Sequence, residues 1–243
     1  MFMLIAATGD IHSPIHYELF VKSIDNLQVK SELFLIAGDL IDRNSTRQKG
    51  PFDELKRVSN VMFGKINCPI IACFGNNEFN QDWDEIRKQN PEIKFLQDET
   101  LTLDINGKRV GIVGSKGSLD RPTWWQRNNI PGIAEDYRER INTISNLLAG
   151  LDVDYKILLI HYPPTYKILS GERSEGYPEL ACSGLERVII DHRVNLVLTG
   201  HAHAGKKQVW VDGVPVLNVG LFLNNGIVVV NTDELKPGLG KFF

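Results

Sequence analysis

The strongest constraint on the fold of this chain comes from six short apolar runs, which end at small or polar residues. The runs read MLIAATGD, LFLIAGD, PIIACFGN, RVGIVGS, KILLIHY and VNLVLTGH. Val, Ile and Leu occupy both alternating positions of these runs, which is typical of strands buried on two faces. Amphipathic stretches with apolar residues at helical spacing separate several of the runs, at residues 15–29, 52–66, 134–149 and 184–192. Strands that alternate with helices predict an α/β fold with parallel strand pairs.

Three turn dipeptides interrupt this alternation and predict β-hairpins. They are Asn106-Gly107, Asp212-Gly213 and Asn225-Gly226, and such pairs tolerate the positive φ angles of tight hairpin turns. We therefore expect an antiparallel C-terminal third and a sheet that is mixed or doubled. Two irregular segments, 116–132 and 162–181, have the length of functional or disordered loops.

Residue types that bind metal ions stand at the ends of five of the predicted strands. In an open α/β sheet, ligands bind beyond the carboxyl ends of the strands, and all of these residues lie there. Carboxylates, amide oxygens and imidazoles are hard or borderline metal donors. The residues are Asp10, His12, Asp39, Asp42, Asn76, Asn77, Glu78, His161, His201 and His203.

The spacing of these residues indicates more than one metal ion. Asp10 with His12, and His201 with His203, are pairs two positions apart, and such side chains project to the same side of an extended segment. An isolated Asp at a strand end usually caps a turn, and an isolated His there is usually a hydrogen-bonded polar residue. The joint pattern favours a metal site, and four histidines, two aspartates and an asparagine are too many donors for one tetrahedral ion. We therefore expect two cations, roughly 3.5–4 Å apart, that clamp an in-line phosphoryl displacement.

The motif set D-x-H, G-D-x-x-D, G-N-x-[DE], a single His and G-H-x-H spans residues 8–203 in this order. It resembles the motif set of the calcineurin-like metallophosphoesterase superfamily. The resemblance implies a four-layer α/β/β/α sandwich with two mixed sheets and a dinuclear metal centre, in which Asp39 bridges both ions. It also implies that one ion is bound by Asp10, His12 and His203, and the other by Asn76, His161 and His201.

Asn77 stands where many members of that superfamily carry a histidine beside an acidic residue. There the imidazole is thought to protonate the leaving oxygen. A carboxamide does not titrate near neutral pH, so Asn77 is expected to donate only a hydrogen bond to the phosphoryl group. General acid catalysis contributes roughly 10²–10⁴-fold, so we expect an enzyme, with Asp39 and Asn77 as catalytic residues, that favours good leaving groups. The alternative is that Asn77 is only a turn residue; Glu78 is expected to hold the loop.

Four further side chains are candidates for substrate contact: Arg43, Trp124, Trp125 and Arg127. An arginine after G-D-x-x-D contacts phosphate in the protein-phosphatase branch of the family, but Asn44 replaces the glycine that follows it there, and the alternative is a solvated loop arginine. The adjacent tryptophans cannot both face one side of a helix, so one is expected to be exposed or to cover a groove. Indole and guanidinium groups suit a base or another planar group joined to phosphate. The alternative is a tryptophan that pins the loop to the core.

Composition is that of an ordinary globular protein, with 42% apolar and 23% charged residues. A net charge of −3 argues against a nucleic-acid-binding surface. The three cysteines lack the spacing of a metal site or a disulfide framework, which fits a reducing compartment. The N-terminal run is too short to span a membrane. We therefore predict a single cytoplasmic domain over residues 1–243, with no membrane association.

We interpret the sequence as that of a phosphodiesterase, in which metal-bound hydroxide attacks phosphorus in line. The alternatives are a phosphomonoesterase or protein phosphatase, a nuclease of the DNA-break repair type, and a catalytically silent scaffold resembling the retromer subunit with this fold. Competent donors at all seven ligand positions argue against the scaffold. The expected substrate is a small phosphoester, with nucleotide-like molecules among the candidates. The nitrogen and oxygen donors suit two divalent ions of Mn, Fe, Zn, Ni or Co, and we favour manganese.

Overall fold

The computed structural model describes residues 3–45 and 50–235. Within these ranges the chain forms two β-sheets that pack face to face, with helices on both outer sides. The strands are β1 (Leu4–Thr8), β2 (Leu33–Ala37), β3 (Ile70–Cys73), β4 (Ile93–Leu96), β5 (Glu99–Ile105), β6 (Lys108–Ser115), β7 (Tyr155–Ile160), β8 (Leu196–Thr199), β9 (Gln208–Val211), β10 (Val214–Asn218) and β11 (Val228–Asn231). The helices are α1 (Tyr17–Asp25), α2 (Pro51–Met62), α3 (Trp83–Gln89), α4 (Trp124–Asn129), α5 (Ile133–Ala149), α6 (Leu185–Asp191) and α7 (Leu221–Asn224).

Both sheets are mixed. The first has the strand order β11-β1-β2-β3-β4, in which β1 to β4 are parallel and β11 is antiparallel to β1. The second has the order β5-β6-β7-β8-β10-β9, in which only the edge strands β5 and β9 are antiparallel to their neighbours. Each predicted metal ligand therefore follows the carboxyl end of a parallel strand, at β1, β2, β3, β7 or β8.

Three apolar cores separate the four layers, and the alternation of side chains along each strand distributes residues between them. In β2, Leu35 faces the second sheet, whereas Phe34 and Ile36 pack on the helical side. Phe20 of α1 and Leu55 of α2 belong to that same outer core. The outer face of the second sheet packs in the same way against α5 and α6. The predicted α/β/β/α sandwich with two mixed sheets is therefore confirmed.

The hairpin predictions were correct at two positions and wrong at the third. Strands β5 and β6 pair around Asn106-Gly107, and β9 and β10 pair around Asp212-Gly213. Asn225 also adopts a positive φ of 56°, but there it ends helix α7, and β11 pairs with β1 instead of with the preceding residues. Leu221 of this helix is buried in the outer core. The predicted antiparallel C-terminal third holds only in part, because β10 is parallel to β8.

The two long irregular segments lie against each other and contain short ordered elements. Segment 116–132 includes α4, which begins with a capping box formed by Thr123 and Gln126. Segment 162–181 contains two 3₁₀ turns. The backbone N–H of Asp120 donates to the carbonyl of Ala181 at 3.0 Å, so the two segments are joined. That residues 1–243 form one domain stays a prediction.

Candidate metal centre

The strand ends that carry the predicted ligands turn sharply. Asp10, His12, Asp39 and His201 have positive φ angles of 49°, 43°, 51° and 68°, a region that residues with a side chain seldom adopt. Backbone hydrogen bonds hold two of these turns, because the N–H groups of Asp10 and His12 donate at 3.0 Å to the carbonyls of Gly38 and Asp39. Such conformations persist where the surrounding structure imposes them, and they concentrate at functional sites.

Asp10, His12 and His203 form one group of converging donors, and their ligand atoms all lie within 4.8 Å of one another. Nε2 of His12 lies 3.1 Å from Nε2 of His203. Oδ1 of Asp10 lies 3.6 Å from Nε2 of His203 and 3.8 Å from Nε2 of His12. A carboxylate and two imidazoles aimed at one point are a donor set that a divalent transition metal accepts.

A second set of donors surrounds the buried side chain of His161. Its Nε2 lies 3.0 Å from Oδ1 of Asn76 and 3.6 Å from Oδ2 of Asp39. Its Nδ1 lies 2.8 Å from the carbonyl oxygen of Ala37, to which it donates. That hydrogen bond fixes the ring and leaves the Nε2 lone pair directed at the carboxylate and amide oxygens, as in histidines that bind metals.

The Asp39 carboxylate lies between the two groups. Its Oδ2 is 3.6 Å from Nε2 of His12 and also 3.6 Å from Nε2 of His161. The ligand atoms of Asp39, Asp10 and His161 also lie within 4.8 Å of one another, so these three residues form a trio that crosses from one donor group to the other. Asp39 is therefore within reach of ligands from both groups, which is the arrangement a bridging carboxylate requires.

His201 contributes to this region by its backbone and by its ring. Its N–H donates to both carboxylate oxygens of Asp10, at 3.1 and 2.9 Å. Its ring centroid lies 5.0 Å from that of His161 and 4.7 Å from that of Tyr162. Burial lowers the pKa of His201 to about 3, so the ring is neutral at physiological pH, as a metal ligand must be. Among the described residues, the two tight groups of three do not include it.

The carboxylate of Asp10 and the imidazoles around it shift each other's pKa. Burial raises the pKa of Asp10, but the close approach of His203 and the charges of the neighbouring histidines outweigh it and hold the pKa below its ordinary value of 3.8. The same contact with Asp10 raises the pKa of His203. Asp10 is therefore present as a carboxylate, which is the form that binds a cation.

Glu78 is fully buried and holds the loops of the site together. Its carboxylate accepts hydrogen bonds from the N–H groups of Asp39 at 3.0 Å, Leu40 at 2.8 Å, Ile41 at 3.3 Å and Gly75 at 2.8 Å. Burial and the adjacent Asp39 raise its pKa to about 7. This network agrees with the expectation that Glu78 holds the loop, since it ties the end of β2 to the end of β3.

The family model described as calcineurin-like phosphoesterase matches residues 3–205 of this chain. The chain belongs to this family. The resemblance inferred from the five motifs is thereby confirmed. A Caenorhabditis elegans protein named as a metallophosphoesterase is 24% identical over 197 residues, which cover 78% of this chain and 33% of that protein. The chain thus spans about a third of the length of this curated relative.

Solved structures of the calcineurin-like phosphoesterase fold superimpose on most of the chain. A phosphopantetheinyl hydrolase from Mycobacterium tuberculosis is 16% identical, with a TM-score of 0.64, and covers 91% of this chain and 90% of its own. A second structure is that of a Staphylococcus aureus protein described as a 5'-nucleotidase, in complex with alpha-ketoglutarate. It is 14% identical to this chain, with a TM-score of 0.62, and the match covers 97% of this chain and 52% of the Staphylococcus aureus chain. At these identities the likeness shows the shared fold. None of the helices in residues 3–45 and 50–235 has both the length and the apolar character needed to cross a membrane.

Asn77 contacts the Asp39 carboxylate, which lies between the two donor groups. Its backbone N–H donates to Oδ1 of Asp39 at 2.8 Å, and its side-chain Nδ2 donates to Oδ2 at 2.7 Å. Its Oδ1 accepts the backbone N–H of Arg43 at 3.1 Å. Asn77 is therefore more than a turn residue, because its side chain orients Asp39 and joins the loops after β2 and β3.

The residues predicted to contact substrate differ in their position relative to the metal centre. Trp125 lines a cavity beside the site and is 54% exposed. The side chain of Trp124 is 70% exposed and does not line that cavity. The guanidinium of Arg43 lies 2.7 Å from a carboxylate oxygen of Asp82 and 4.4 Å from the ring centroid of Phe79. A contact of Arg43 or Trp124 with substrate stays a prediction.

Arg127 lies on helix α4, within segment 116–132. Its guanidinium donates to the carbonyl of Pro122 and lies 3.6 Å from the carboxylate of Glu179. It is not among the residues that line the cavity beside Trp125. Its predicted role in substrate binding stays a prediction.

Sequence reasoning missed Lys116, Tyr137 and Arg140, which line this cavity of about 500 Å³ together with the predicted residues Asn76 and Trp125. Lys116 follows strand β6 directly, so it occupies the same carboxyl-end position as the predicted ligands. That position was the available signal, and it was not applied to a lysine. Tyr137 and Arg140 lie on α5, and no sequence pattern links this helix to the site. Asn76 connects the cavity to the candidate metal centre.

Proposed function

We propose that this chain hydrolyses small phosphoesters, with a preference for diesters, at a centre of two divalent metal ions. The observation that carries the proposal is the position of Asp39, whose Oδ2 is 3.6 Å from both His12 and His161. A centre of two ions needs an anionic group between its two donor sets. Membership of the calcineurin-like phosphoesterase family supports the ester-hydrolase class.

The chemistry of the donors fits this cofactor. Asp10, His12 and His203 would hold one ion, and Asn76, His161 and His201 the other, with Asp39 shared between them. All are nitrogen or oxygen donors, which suit manganese, iron, zinc, nickel or cobalt, and we propose manganese. When bound, the two ions supply charge neutralisation at the phosphoryl oxygens and an activated water nucleophile.

The residues of the chain itself would orient and restrict this reaction. Asp39 is held by two hydrogen bonds from Asn77, so its carboxylate has one fixed orientation. Of the two Nδ2 protons of Asn77, one is used by Asp39 and the other is available to a phosphoryl oxygen. Asn77 has no proton to transfer to a leaving alkoxide, and we therefore propose that esters with good leaving groups are the better substrates.

An assay of a phosphodiester and the matching monoester tests this proposal. The protein is depleted of metal with a chelator, reloaded with manganese, and supplied with an aryl phosphodiester or the corresponding aryl monophosphate. Metal-dependent hydrolysis with a higher kcat/KM for the diester is expected. A higher kcat/KM for the monoester would replace the diesterase by a phosphomonoesterase. If the metal-replete protein hydrolyses neither ester, the catalytically silent scaffold becomes the better explanation.

A further inference from the structure

The cavity beside the candidate metal centre is the larger of the two spaces that adjoin the predicted ligands. On one side, Asp10, His12 and His203 line a pocket of about 30 Å³, which has room for only one or two water molecules. On the other side, Asn76 lines a cavity of about 500 Å³, which is the size of a site for a small organic molecule. Of these two spaces, only the larger has room for the organic group of a phosphoester bound at the centre.

Lys116 places a positive charge in the wall of this cavity. It lies directly after β6, and its ammonium is 5.7 Å from the ring centroid of Trp83. Among residues 3–45 and 50–235, no carboxylate lies within ion-pair distance of its Nζ, including Asp136, the one acid that lines the cavity. Burial lowers the pKa of Lys116 to about 8, although Asp39 and Glu78 oppose that shift, so the group remains predominantly charged at pH 7.

Arg140, the other cation in the cavity wall, is already engaged. Its Nε lies 3.1 Å from a carboxylate oxygen of Asp98, and its NH1 donates to the carbonyl of Gly117 at 3.2 Å. Of the two cations in the cavity wall, Lys116 is therefore the one whose charge is not already taken up by a carboxylate.

We propose that this cavity binds the leaving group of the substrate, and that Lys116 binds a second anionic group carried by that leaving group. The ligand class is an organic phosphoester whose leaving group bears a carboxylate or a further phosphate. This proposal rests on the proposed phosphoesterase function, since the position of the leaving group follows from a phosphoryl group at the metal centre. Lys116 is then a specificity-determining residue that sequence motifs do not reveal.

A matched pair of substrates isolates this charge. Methyl 4-carboxyphenyl phosphate and methyl 4-carbamoylphenyl phosphate have leaving groups of nearly the same size, and only the first carries a negative charge. The manganese-loaded wild-type protein is expected to favour the carboxylate ester by about 10-fold or more in kcat/KM, mainly through KM, as for a charge-assisted hydrogen bond. In Lys116→Met this ratio is expected to fall to about 1, because the side chain keeps its length and loses its charge.

Two further variants serve as controls. Lys88→Met removes a lysine of α3 that is 78% exposed in its side chain and outside the cavity, and it is expected to keep the wild-type ratio. Lys116→Arg retains the charge and is expected to keep a preference for the carboxylate ester.

A wild-type ratio of about 1, with both esters hydrolysed, overturns the role of Lys116 and leaves the phosphoesterase function standing. Hydrolysis of neither ester overturns both proposals, and an unchanged ratio in a folded Lys116→Met protein overturns this one alone.

Discussion

The side-chain nitrogen of Asn77 lies 2.7 Å from Oδ2 of Asp39, the same oxygen that lies 3.6 Å from both His12 and His161. The residue that replaces the usual histidine of the family motif is therefore bound to the carboxylate that links the two donor groups. Its backbone N–H holds the other oxygen of Asp39. Asn77 thus has a structural connection to the proposed centre that does not depend on proton transfer.

The first prediction concerns Asn77→His. An imidazole at this position adds a group that titrates near neutral pH and can protonate a leaving alkoxide, a contribution worth roughly 10²–10⁴-fold for poor leaving groups. We expect kcat/KM to rise more for alkyl phosphodiesters than for nitrophenyl phosphodiesters. Steady-state kinetics on a series of esters with graded leaving-group pKa values measure this difference. Equal effects across the series would contradict the role assigned to Asn77.

The second prediction concerns metal content. In His161→Ala the second donor group loses its central ligand, so we expect metal content to fall by about one equivalent and activity by about 100-fold or more. His192→Ala is the matched control, because His192 lies at the end of α6 and its Nε2 is hydrogen bonded to Ser145 at 2.8 Å. Elemental analysis of the purified proteins gives the stoichiometry. Full metal content in His161→Ala would exclude this histidine as a ligand.

The third prediction concerns stability. Asp10 and Asp39 are buried carboxylates, 4% and 1% exposed, and cations between them would relieve their repulsion. Because a ligand that binds only the folded state stabilises it by about 2.7 kcal/mol at 100 times its Kd, manganese is expected to raise Tm and a chelator to lower it. Thermal melts with and without metal measure the shift. In Asp39→Asn the shift should be much smaller, and a full shift there would place the stabilising ions elsewhere.

The fold and the clustering of the candidate donors could be predicted because their signals are local. The apolar runs identify buried strands, and a donor that directly follows a run lies at the carboxyl end of its strand. Asp10, Asp39, Asn76 and His161 were all found by that one rule, which holds as long as the strands are parallel. The same rule applied to Lys116 would have placed it beside the site, but a single lysine after a strand has no accompanying motif.

The strand pairing of β11 and the contacts of Arg43 could not be predicted, because they depend on residues that are distant in the chain. The dipeptide Asn225-Gly226 fixes a local backbone conformation, but it does not specify that β11 pairs with β1, more than 200 positions earlier. The salt bridge that holds Arg43 joins it to Asp82 in a different loop. Sequence spacing describes neighbours along one element, and these contacts are decided by how separate elements pack.

The fourth prediction tests the close approach of the loops after β2 and β3. A Cβ on Gly75 would lie 2.1 Å from Oδ1 of Asp39 and 2.4 Å from its backbone nitrogen, so no side chain fits there without moving Asp39. Gly75→Ala is therefore expected to lose metal binding and activity and to cost about 1–3 kcal/mol of stability, as overpacking does. Gly176→Ala is the control, since the nearest atom to its Cβ would be Leu180 Cδ1 at 3.8 Å. Normal metal content in Gly75→Ala would show that Asp39 is free to shift.

The fifth prediction concerns the hydrogen bonds by which Asp120, in segment 116–132, is joined to Tyr166 and Ser183. Oδ2 of Asp120 accepts the hydroxyl of Tyr166 at 2.6 Å, and the N–H and the hydroxyl of Ser183 at 2.9 and 2.7 Å. Burial raises the pKa of Asp120, but these hydrogen bonds outweigh it and lower the pKa below 3.8. A carboxyl group with a lowered pKa stabilises the folded state above its unfolded pKa, and that stabilisation is lost as pH falls through the folded pKa.

Asp120→Asn is therefore expected to reduce the free energy of unfolding by about 1 kcal/mol near neutral pH, a value kept low because the residue is exposed. The difference from wild type should stay constant between about pH 7 and pH 5 and shrink below about pH 4. Urea unfolding at several pH values measures it, with Asp104→Asn, on the exposed side of β5, as the control that should show no such loss. A difference that grows as the pH falls would mean that Asp120 is bound in its protonated form, contrary to the hydrogen-bond geometry.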